Sequence, residues 1–189
     1  MTFKYPTGRS PQEVYEDLYE NTDYGRRGRG INVYHGYQVI HLTKEYKSML
    51  NVGCGLPDYS QHVPWIEHYG ACDISPHVVQ YHYDAGRFCF QADLTEALPC
   101  KDNLYDVIGC FDVLEHIPEE DVDFALSELG RVAKHMILLT IAYAPTRRDG
   151  TLGEALHICI HDPGWWTKRI EAATGGKVEM IANCFVVRL

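Results

Sequence analysis

The sequence has no apolar run long enough to cross a membrane and no closely spaced pair of cysteines. A transmembrane helix needs about 18 or more consecutive apolar residues, and the N-terminus also lacks the apolar segment of a secretion signal. The seven cysteines include no C-x-x-C pair, and several stand inside apolar runs, as buried reduced thiols do. We therefore expect a soluble cytoplasmic protein without a disulfide framework or a zinc site.

Basic residues are scarce as well. The chain has 17 Lys and Arg against 26 Asp and Glu, which gives a net charge of −9. Such a surface repels polyanions unless basic side chains are gathered in one place. The strongest local group is Arg26, Arg27 and Arg29, in a segment that suits either an exposed loop or a clamp for a phosphate or carboxylate. Long nucleic acid is therefore disfavoured as a partner, and a small-molecule substrate is expected.

The composition and the apolar pattern predict one folded domain over residues 1–189. The 189 residues are 46% hydrophobic and 23% charged, which suits a single globular core. Helices are predicted over residues 10–20, 31–46 and 119–133, and from Pro76 and Pro163 onward. Residues 57–65 are expected to form the first crossover helix, short and irregular because Pro64 interrupts it. The predicted strands are residues 49–52, 67–72, 86–92, 105–111 and 136–142, with a terminal hairpin of 177–180 and 184–188.

A glycine turn follows the first predicted strand. The apolar residues 49–52 end in Gly53-Cys54-Gly55, where two glycines permit positive φ and a close approach of a ligand to the backbone. About twenty residues later the second strand closes with Asp73. A carboxylate there is positioned to bind a ribose diol when a nucleoside lies across the carboxyl ends of a parallel sheet. The stretch therefore indicates a nucleoside-containing cofactor.

The passage around the fourth strand carries the most specific motif. Residues 105–111 are preceded by Leu98-Pro99 and followed by DVLEHI, residues 112–117. With the glycine turn and its spacing, this passage resembles the class I S-adenosylmethionine-dependent methyltransferases that act on small molecules. The resemblance covers residues 48–189 in order. It implies an α/β fold with a Rossmann-like, doubly wound sheet of seven strands, mostly parallel with a C-terminal antiparallel hairpin, and S-adenosyl-L-methionine as the cofactor.

The resemblance also implies which residues hold that cofactor. In this family an acidic residue after the third strand binds the adenine amino group, and Asp93 matches it, although a carboxylate there also suits a simple loop. Asn51 stands where the family usually has an acid, and Pro57 where it has a third glycine. The expected cofactor-binding residues are Asn51, Gly53, Cys54, Gly55, Asp73, Ile74, Asp93, Leu94, Phe111 and Asp112.

Candidate catalytic residues follow the fourth and fifth strands. We expect His116 to accept a proton from a hydroxyl or amine during methyl transfer, with Glu115 beside it, although both would also suit a loop brace. The family has a histidine after its fifth strand, and we expect His157 to face the cleft, while His161 caps or braces. Residues 1–46 are expected to form a helical lid over a cofactor-binding core of residues 47–189. The predicted reaction is methyl transfer to an oxygen or nitrogen of a small acceptor.

Two alternatives stay open beside this metal-free site. Asp112-x-x-Glu115-His116 resembles the E-x-x-E-H metal site of ubiquinone-pathway O-methyltransferases and small-RNA 2′-O-methyltransferases, with His157 or His161 as a further ligand for Mg²⁺ or Mn²⁺. That alternative predicts action on an RNA end. The other alternative is a nucleoside-binding module that has lost transfer activity, because Asn51 and Pro57 depart from the family pattern. A dinucleotide-binding Rossmann protein is a weaker rival, since the third glycine of its fingerprint is absent.

Overall fold

The apolar runs of the sequence form the strands of one sheet. The computed structural model describes residues 3–22, 24, 38–145 and 155–189 of the chain. The strands are β1 (Ser48–Val52), β2 (His68–Asp73), β3 (Cys89–Gln91), β4 (Tyr105–Phe111), β5 (Ala133–Thr140), β6 (Lys177–Ile181) and β7 (Cys184–Arg188). The α-helices among these residues are α1 (Pro11–Asn21), α2 (Pro76–Asp84), α3 (Glu119–Val132) and α4 (Pro163–Thr174). No helix in this part of the chain is long and apolar enough to span a membrane.

The strand order is β3-β2-β1-β4-β5-β7-β6. Strands β1 to β5 pair in parallel, whereas β7 runs antiparallel to both β5 and β6. The predicted α/β fold with a C-terminal antiparallel hairpin is therefore confirmed. The order reverses between β1 and β4, and ligands of such sheets bind outside the carboxyl ends of the strands at this point. Gly53 and Asp112 directly follow the two strands that meet there.

The helices begin where the sequence supplies caps. Ser10 and Glu13 form the predicted capping box of α1, because each side chain accepts a hydrogen bond from the other residue's backbone N–H. The Ser75 hydroxyl accepts from a backbone N–H in the first turn of α2, and the Asp162 carboxylate does the same for α4. Helix α4 ends at Gly175, whose φ of 70° is the left-handed conformation that a glycine adopts without strain. Local signals thus set these boundaries.

Different structures cover the two faces of the sheet. On one face, α3 and α4 bury Leu126, Leu129 and Trp166 against β1, β4 and β5. On the other face, Met49 of β1 and Met136 of β5 belong to a second apolar cluster, which is completed by residues from the irregular segments 39–46 and 59–66. The central part of the sheet is therefore buried on both faces, by α3 and α4 on one and by these two segments on the other.

Four predicted elements differ in part from the structure. The helix predicted over residues 31–46 is confirmed in its described part only as far as Thr43, because residues 38–43 are helical and residues 44–46 are not. The last helical residues form a 3-10 turn, in which the Thr43 hydroxyl donates to the Ile40 carbonyl and accepts from Trp65. The crossover after the glycine turn contains only the 3-10 turn Ser60–His62. Strand β3 is shorter than predicted, and β5 starts and ends earlier. Residues 31–37, Arg26, Arg27 and Arg29, and residues 146–154 lie outside the described part of the chain.

Candidate functional site

The glycine turn is fixed by geometry that only glycine satisfies. Gly53 has a φ of 66°, and a Cβ atom there would collide with the Val113 side chain. Gly55 also has a positive φ, of 56°. Between them, the Cys54 N–H donates to the Cys72 carbonyl at 3.0 Å, and its buried thiol lies 3.8 Å from the Cys89 sulfur. Cys54 therefore uses its side chain for packing and leaves only its backbone for a ligand.

Asp73 joins the glycine turn to the start of α2. One carboxylate oxygen accepts from the Gly55 N–H at 2.8 Å, and the other accepts from the Ser75 N–H at 3.0 Å. That Asp73 also binds a ribose diol stays a prediction. The side chain is buried but reaches the end of β2, and Ile74 follows it in a half-buried position. The carboxyl ends of β1 and β2 are thus in direct contact.

The remaining cofactor candidates fall into different environments. Asp93 follows β3, and its carboxylate accepts from the backbone N–H and hydroxyl of Thr95, both at 2.8 Å, while Leu94 is buried. Asn51 is buried within β1, opposite Ala71 and Gly109 of the flanking strands. The Phe111 ring packs 5.0 Å from the Tyr59 ring in the core. Any contact of Phe111 with a cofactor therefore falls to its backbone.

Asp112 adopts a strained backbone conformation at the end of β4. Its φ is 62°, which is unfavourable by about 1 to 2 kcal/mol for a residue with a Cβ atom. The conformation is held because the Asp112 N–H donates to the Thr140 carbonyl of β5 at 2.9 Å. Such residues cluster at functional sites, where the surrounding structure imposes the strain. The position beside the reversal of strand order agrees with that pattern.

Glu115 is fully buried and connects three segments. Its Oε1 accepts from the Ala142 N–H at 2.8 Å, and its carbonyl accepts from the N–H groups of Ile158 and Cys159. Its Oε2 is buried without a hydrogen-bond partner among the described residues. Burial, followed by the neighbouring Asp112 carboxyl, raises the pKa of Glu115 well above its usual value. Glu115 therefore braces the loop after β4 against the end of β5.

His116 is held as a neutral base. Its Nδ1 lies 2.8 Å from the Leu156 carbonyl, which can only accept, so Nδ1 carries the proton and Nε2 carries none in the neutral ring. Burial, and then the neighbouring His157, lower the pKa of His116 to about 4. The carboxylate and carbonyl of Asp112 act in the opposite direction, because they favour the protonated ring. The side chain is thus uncharged at neutral pH and has an anionic neighbour that favours proton uptake.

His157 lies beside His116, whereas His161 lies elsewhere. The ring centroids of His116 and His157 are 4.8 Å apart, and Nδ1 of His157 donates to the Ala144 carbonyl at 2.6 Å. His161 instead stacks on Trp165 at 3.8 Å and bonds the Glu119 carboxylate at 2.8 Å. The segment after β5 therefore brings one of its two histidines to the end of β4.

The same residues could hold a metal ion. Glu115, His116 and His157 each offer a ligand atom, and these atoms lie within 4.8 Å of one another. Both histidines donate Nδ1–H to a backbone carbonyl, the arrangement that usually orients metal-bound imidazoles. A second group, Glu119, Cys159 and His161, meets the same distance criterion on a more exposed surface. The donor set of the first group, imidazole and carboxylate, suits Mn²⁺ or Zn²⁺.

Two tyrosines near the site were not singled out from the sequence. The Tyr15 ring, on α1, lies 5.6 Å from the His116 ring. The hydroxyls of Tyr15 and Tyr143 are buried without hydrogen-bond partners among the described residues, and the nearby Glu115 charge contributes to the raised pKa of both. The abundance of tyrosine before β1 was a signal for Tyr15. No local pattern marks Tyr143, because its proximity to Glu115 depends on the tertiary fold.

Comparison with known proteins identifies a domain within the chain. A family model described as a methyltransferase domain matches residues 50–138, from β1 into β5, which includes the glycine turn, Asp73, Asp93 and the loop after β4. Residues 50–138 therefore carry a methyltransferase domain, which confirms the predicted S-adenosylmethionine-dependent methyltransferase. S-adenosyl-L-methionine is the methyl donor of this family, so the predicted cofactor is confirmed at that level. A search of curated proteins found no match to this methyltransferase.

Solved structures share the fold of this methyltransferase at low sequence identity. The sugar N-methyltransferase KedS8 from Streptoalloteichus sp. is 15% identical, with a TM-score of 0.71 over 100% of this chain and 96% of that one. The magnesium protoporphyrin IX methyltransferase ChlM from Synechocystis, crystallised with S-adenosylhomocysteine, is 18% identical, with a TM-score of 0.63 over 93% and 97%. The [4+2]-cyclase SpnF is 21% identical, with a TM-score of 0.57 over 75% and 57%. At these identities the likeness shows the fold alone.

Proposed function

We propose that this methyltransferase moves the methyl group of S-adenosylmethionine to an oxygen or nitrogen of a small-molecule acceptor. The observation that carries the proposal is the neutral His116, held beside Asp112 at the carboxyl end of β4. That position adjoins the glycine turn, since Gly53 packs directly against Val113 of the same loop. A proton acceptor next to the cofactor turn is the arrangement that transfer to a hydroxyl or amine requires.

The cofactor site in this proposal runs along four neighbouring strand ends. The Asp73 carboxylate, already bonded to Gly55, would take the ribose hydroxyls, and Asp93 with Leu94 would take the adenine. The backbone near Phe111 and the Asp112 side chain would border the sulfonium. Support comes from the strand order, which sets the ends of β3, β2, β1 and β4 side by side.

The chemistry is mainly positioning followed by one proton transfer. A new bond forms between the acceptor atom and the methyl carbon while the carbon–sulfur bond breaks, and its electron pair stays on sulfur to give S-adenosylhomocysteine. The acceptor loses its proton to Nε2 of His116, which then releases it to water. The Asp112 carboxylate and carbonyl favour the imidazolium that forms. Glu115 acts as a positioning residue, because its contacts hold the loop that carries His116.

Helix α1 supports the proposed division into a lid, residues 1–46, and a core, residues 47–189. Glu16 accepts hydrogen bonds from the Ser75 hydroxyl at 2.6 Å and the His77 N–H at 3.0 Å, so α1 is bonded to the start of α2 beside Asp73. One residue earlier, Tyr15 lies against His116. A single helix therefore contacts both the proposed ribose site and the proposed base, as a cover over the reacting groups would.

A small acceptor is favoured over long nucleic acid by charge. The net charge of −9 opposes binding of a polyanion. KedS8 is a sugar N-methyltransferase and ChlM a magnesium protoporphyrin IX methyltransferase, so both act on small molecules. Amino sugars and porphyrins are therefore the first acceptors to test, with hydroxylated compounds added to detect transfer to oxygen.

The test measures S-adenosylhomocysteine formed with an acceptor panel. We expect turnover with at least one compound, and we expect His116→Gln to lower it by about 10²-fold or more while cofactor affinity is kept. His161→Gln is the matched control, because His161 is engaged by Glu119 and Trp165, and it should behave as the wild type. Equal turnover of His116→Gln and the wild type would contradict the role of His116. A protein that binds the cofactor and forms no product with any acceptor would favour the inactive nucleoside-binding module.

A metal-assisted transfer to an RNA 2′-hydroxyl is a second candidate, and the ligand geometry of Glu115, His116 and His157 favours it. The cation would lower the pKa of the acceptor hydroxyl, in place of proton uptake by His116. Chelation with EDTA separates the candidates: activity that disappears and returns with Mn²⁺ supports the metal, whereas unchanged activity supports the neutral base. Arg26, Arg27 and Arg29 are the candidate contacts for the phosphates of an RNA end, but they lie outside the described residues. An RNA end is therefore tested in the acceptor panel beside the small molecules.

A further inference from the structure

The glycine turn of this chain is held in an uncommon way. Pro57 occupies the position of a third glycine, and the crossover that follows contains only the 3-10 turn Ser60–His62. An α-helix therefore does not start from the turn. The backbone around Gly55, with its positive φ, must be fixed by other contacts.

His82, in the last turn of α2, makes the contact on one side of Gly55. Its Nε2 lies 2.7 Å from the Gly55 carbonyl oxygen, and the residue is only 3% exposed. The N–H of Gly55 is bonded to Asp73 on the other side. His82 and Asp73 thus hold the two peptide units that flank the Gly55 Cα. Because each peptide unit is planar, holding both fixes φ and ψ of this glycine.

Arg87 selects the tautomer of His82. One guanidinium nitrogen of Arg87 lies 3.1 Å from Nδ1 of His82, and a guanidinium can only donate, so Nδ1 must be unprotonated. The Gly55 carbonyl can only accept, so Nε2 must carry the hydrogen. The two contacts require the same neutral tautomer. Arg87 also forms an ion pair with the Asp58 carboxylate at 3.2 Å, which holds the guanidinium near the glycine turn.

We infer that His82 is a positioning residue for S-adenosylmethionine binding. By fixing Gly55, it sets the N–H group that binds Asp73, and so orients the Asp73 carboxylate toward the ribose hydroxyls. The inference rests on the proposed cofactor site at the ends of β1 and β2. It adds a residue that acts through Gly55 and belongs to none of the motifs on which the resemblance rests.

Substitution of His82 gives the direct test, with S-adenosylhomocysteine binding measured by calorimetry. His82→Leu removes the donor and leaves the Gly55 carbonyl buried without a partner, so we expect about tenfold weaker binding. His82→Gln keeps an amide N–H near the position of Nε2 and should stay within about threefold of the wild type. Once an acceptor is identified, His82→Leu should raise KM for S-adenosylmethionine and leave kcat nearly unchanged.

Two further variants separate positioning from stability. Val187→Ala shortens a buried side chain on β7, away from the glycine turn, and should lower Tm while leaving S-adenosylhomocysteine affinity unchanged. Arg87→Met removes the donor to Nδ1 of His82, so it should weaken S-adenosylhomocysteine binding several-fold. Because the Arg87 side chain is partly exposed, this variant is available even if His82→Leu fails to fold. Nitrogen-15 NMR should find His82 as the Nε2–H tautomer in the wild type.

The outcomes distinguish this inference from the proposed function. Wild-type protein that does not bind S-adenosylhomocysteine would overturn the cofactor site itself. Wild-type binding that is matched by Arg87→Met and by any folded His82→Leu protein would overturn the role of His82 alone. An Nδ1–H tautomer in the wild type would also overturn it.

Discussion

The neutral state of His116 predicts how stability changes with pH. In the unfolded chain a histidine has a pKa of about 6.5, whereas burial lowers the pKa of His116 to about 4 in the folded protein. Between these values the unfolded state binds a proton that the folded state does not, so stability is full above about pH 6.5 and falls as the pH drops towards about 4. Each pH unit in this window costs about 1.4 kcal/mol.

The size of the effect can be measured by urea unfolding of two proteins. From about pH 7 to about pH 4.5, His116 should cost the wild type about 2 kcal/mol of unfolding free energy. The raised pKa of Glu115 has the opposite effect, because the folded protein binds the Glu115 proton more tightly than the unfolded chain and gains stability as the pH falls. The pH dependence of the wild-type unfolding free energy therefore combines both effects. The difference between wild type and His116→Gln isolates the histidine, and it should change by about 2 kcal/mol over this range.

The control for this experiment is an exposed histidine. His68→Gln removes a side chain that is in contact with solvent in the folded protein, so its stability should follow the wild-type pH dependence. If His116→Gln also runs parallel to the wild type, His116 is not held neutral by burial. His116 could then not be the neutral base beside the proposed cofactor site.

Three other variants test separate parts of the structure. Asp73→Asn should weaken S-adenosylhomocysteine binding by about 1 to 3 kcal/mol in calorimetry, because a charged acceptor is lost from the ribose site; unchanged affinity would argue against that site. Gly53→Ala should lower the free energy of unfolding by about 2 to 4 kcal/mol, because of the positive φ of residue 53 and the collision of the new Cβ with Val113. Adding Val113→Ala should recover only the part of this loss that the collision causes. If the effects of the two substitutions simply add, the Gly53–Val113 contact is contradicted. Asp162→Ala should lower stability by about 1 kcal/mol through loss of the α4 cap and leave S-adenosylhomocysteine affinity unchanged, whereas a large loss of affinity would mean that α4 reaches the cofactor.

Much of the fold was predictable because its signals are local. The capping box at Ser10, the Ser75 and Asp162 caps, and the apolar runs of β1 and β4 depend on residues within a few positions of one another. The same holds for the terminal hairpin. The family's motifs then supplied the order in which these elements join. Where the prediction went too far, it had no such support: the helix over residues 31–46 was inferred from periodicity alone, and its described part ends at Thr43, whose hydroxyl is bonded to Ile40 and Trp65.

Sequence could predict which residues lie at the strand ends of the site, but not which of them contact each other. Asp73 and Gly55 were both expected to contact the cofactor, yet their bond to each other follows from the parallel register of β1 and β2. Phe111 was expected near the cofactor through its backbone, and its side chain packs in the core, because residues of a strand alternate between the two faces of the sheet. His82 and Tyr143 reach the site from distant positions in the sequence. Only the packed structure shows their contacts.

The most direct test of the cofactor site is a calorimetric titration of the wild-type protein with S-adenosylhomocysteine. If the ends of β1, β2, β3 and β4 form the cofactor site, the titration should show saturable one-to-one binding that Asp73→Asn weakens. Absence of saturable heat with a folded wild-type protein, or equal binding by Asp73→Asn, would contradict the assignment of this site.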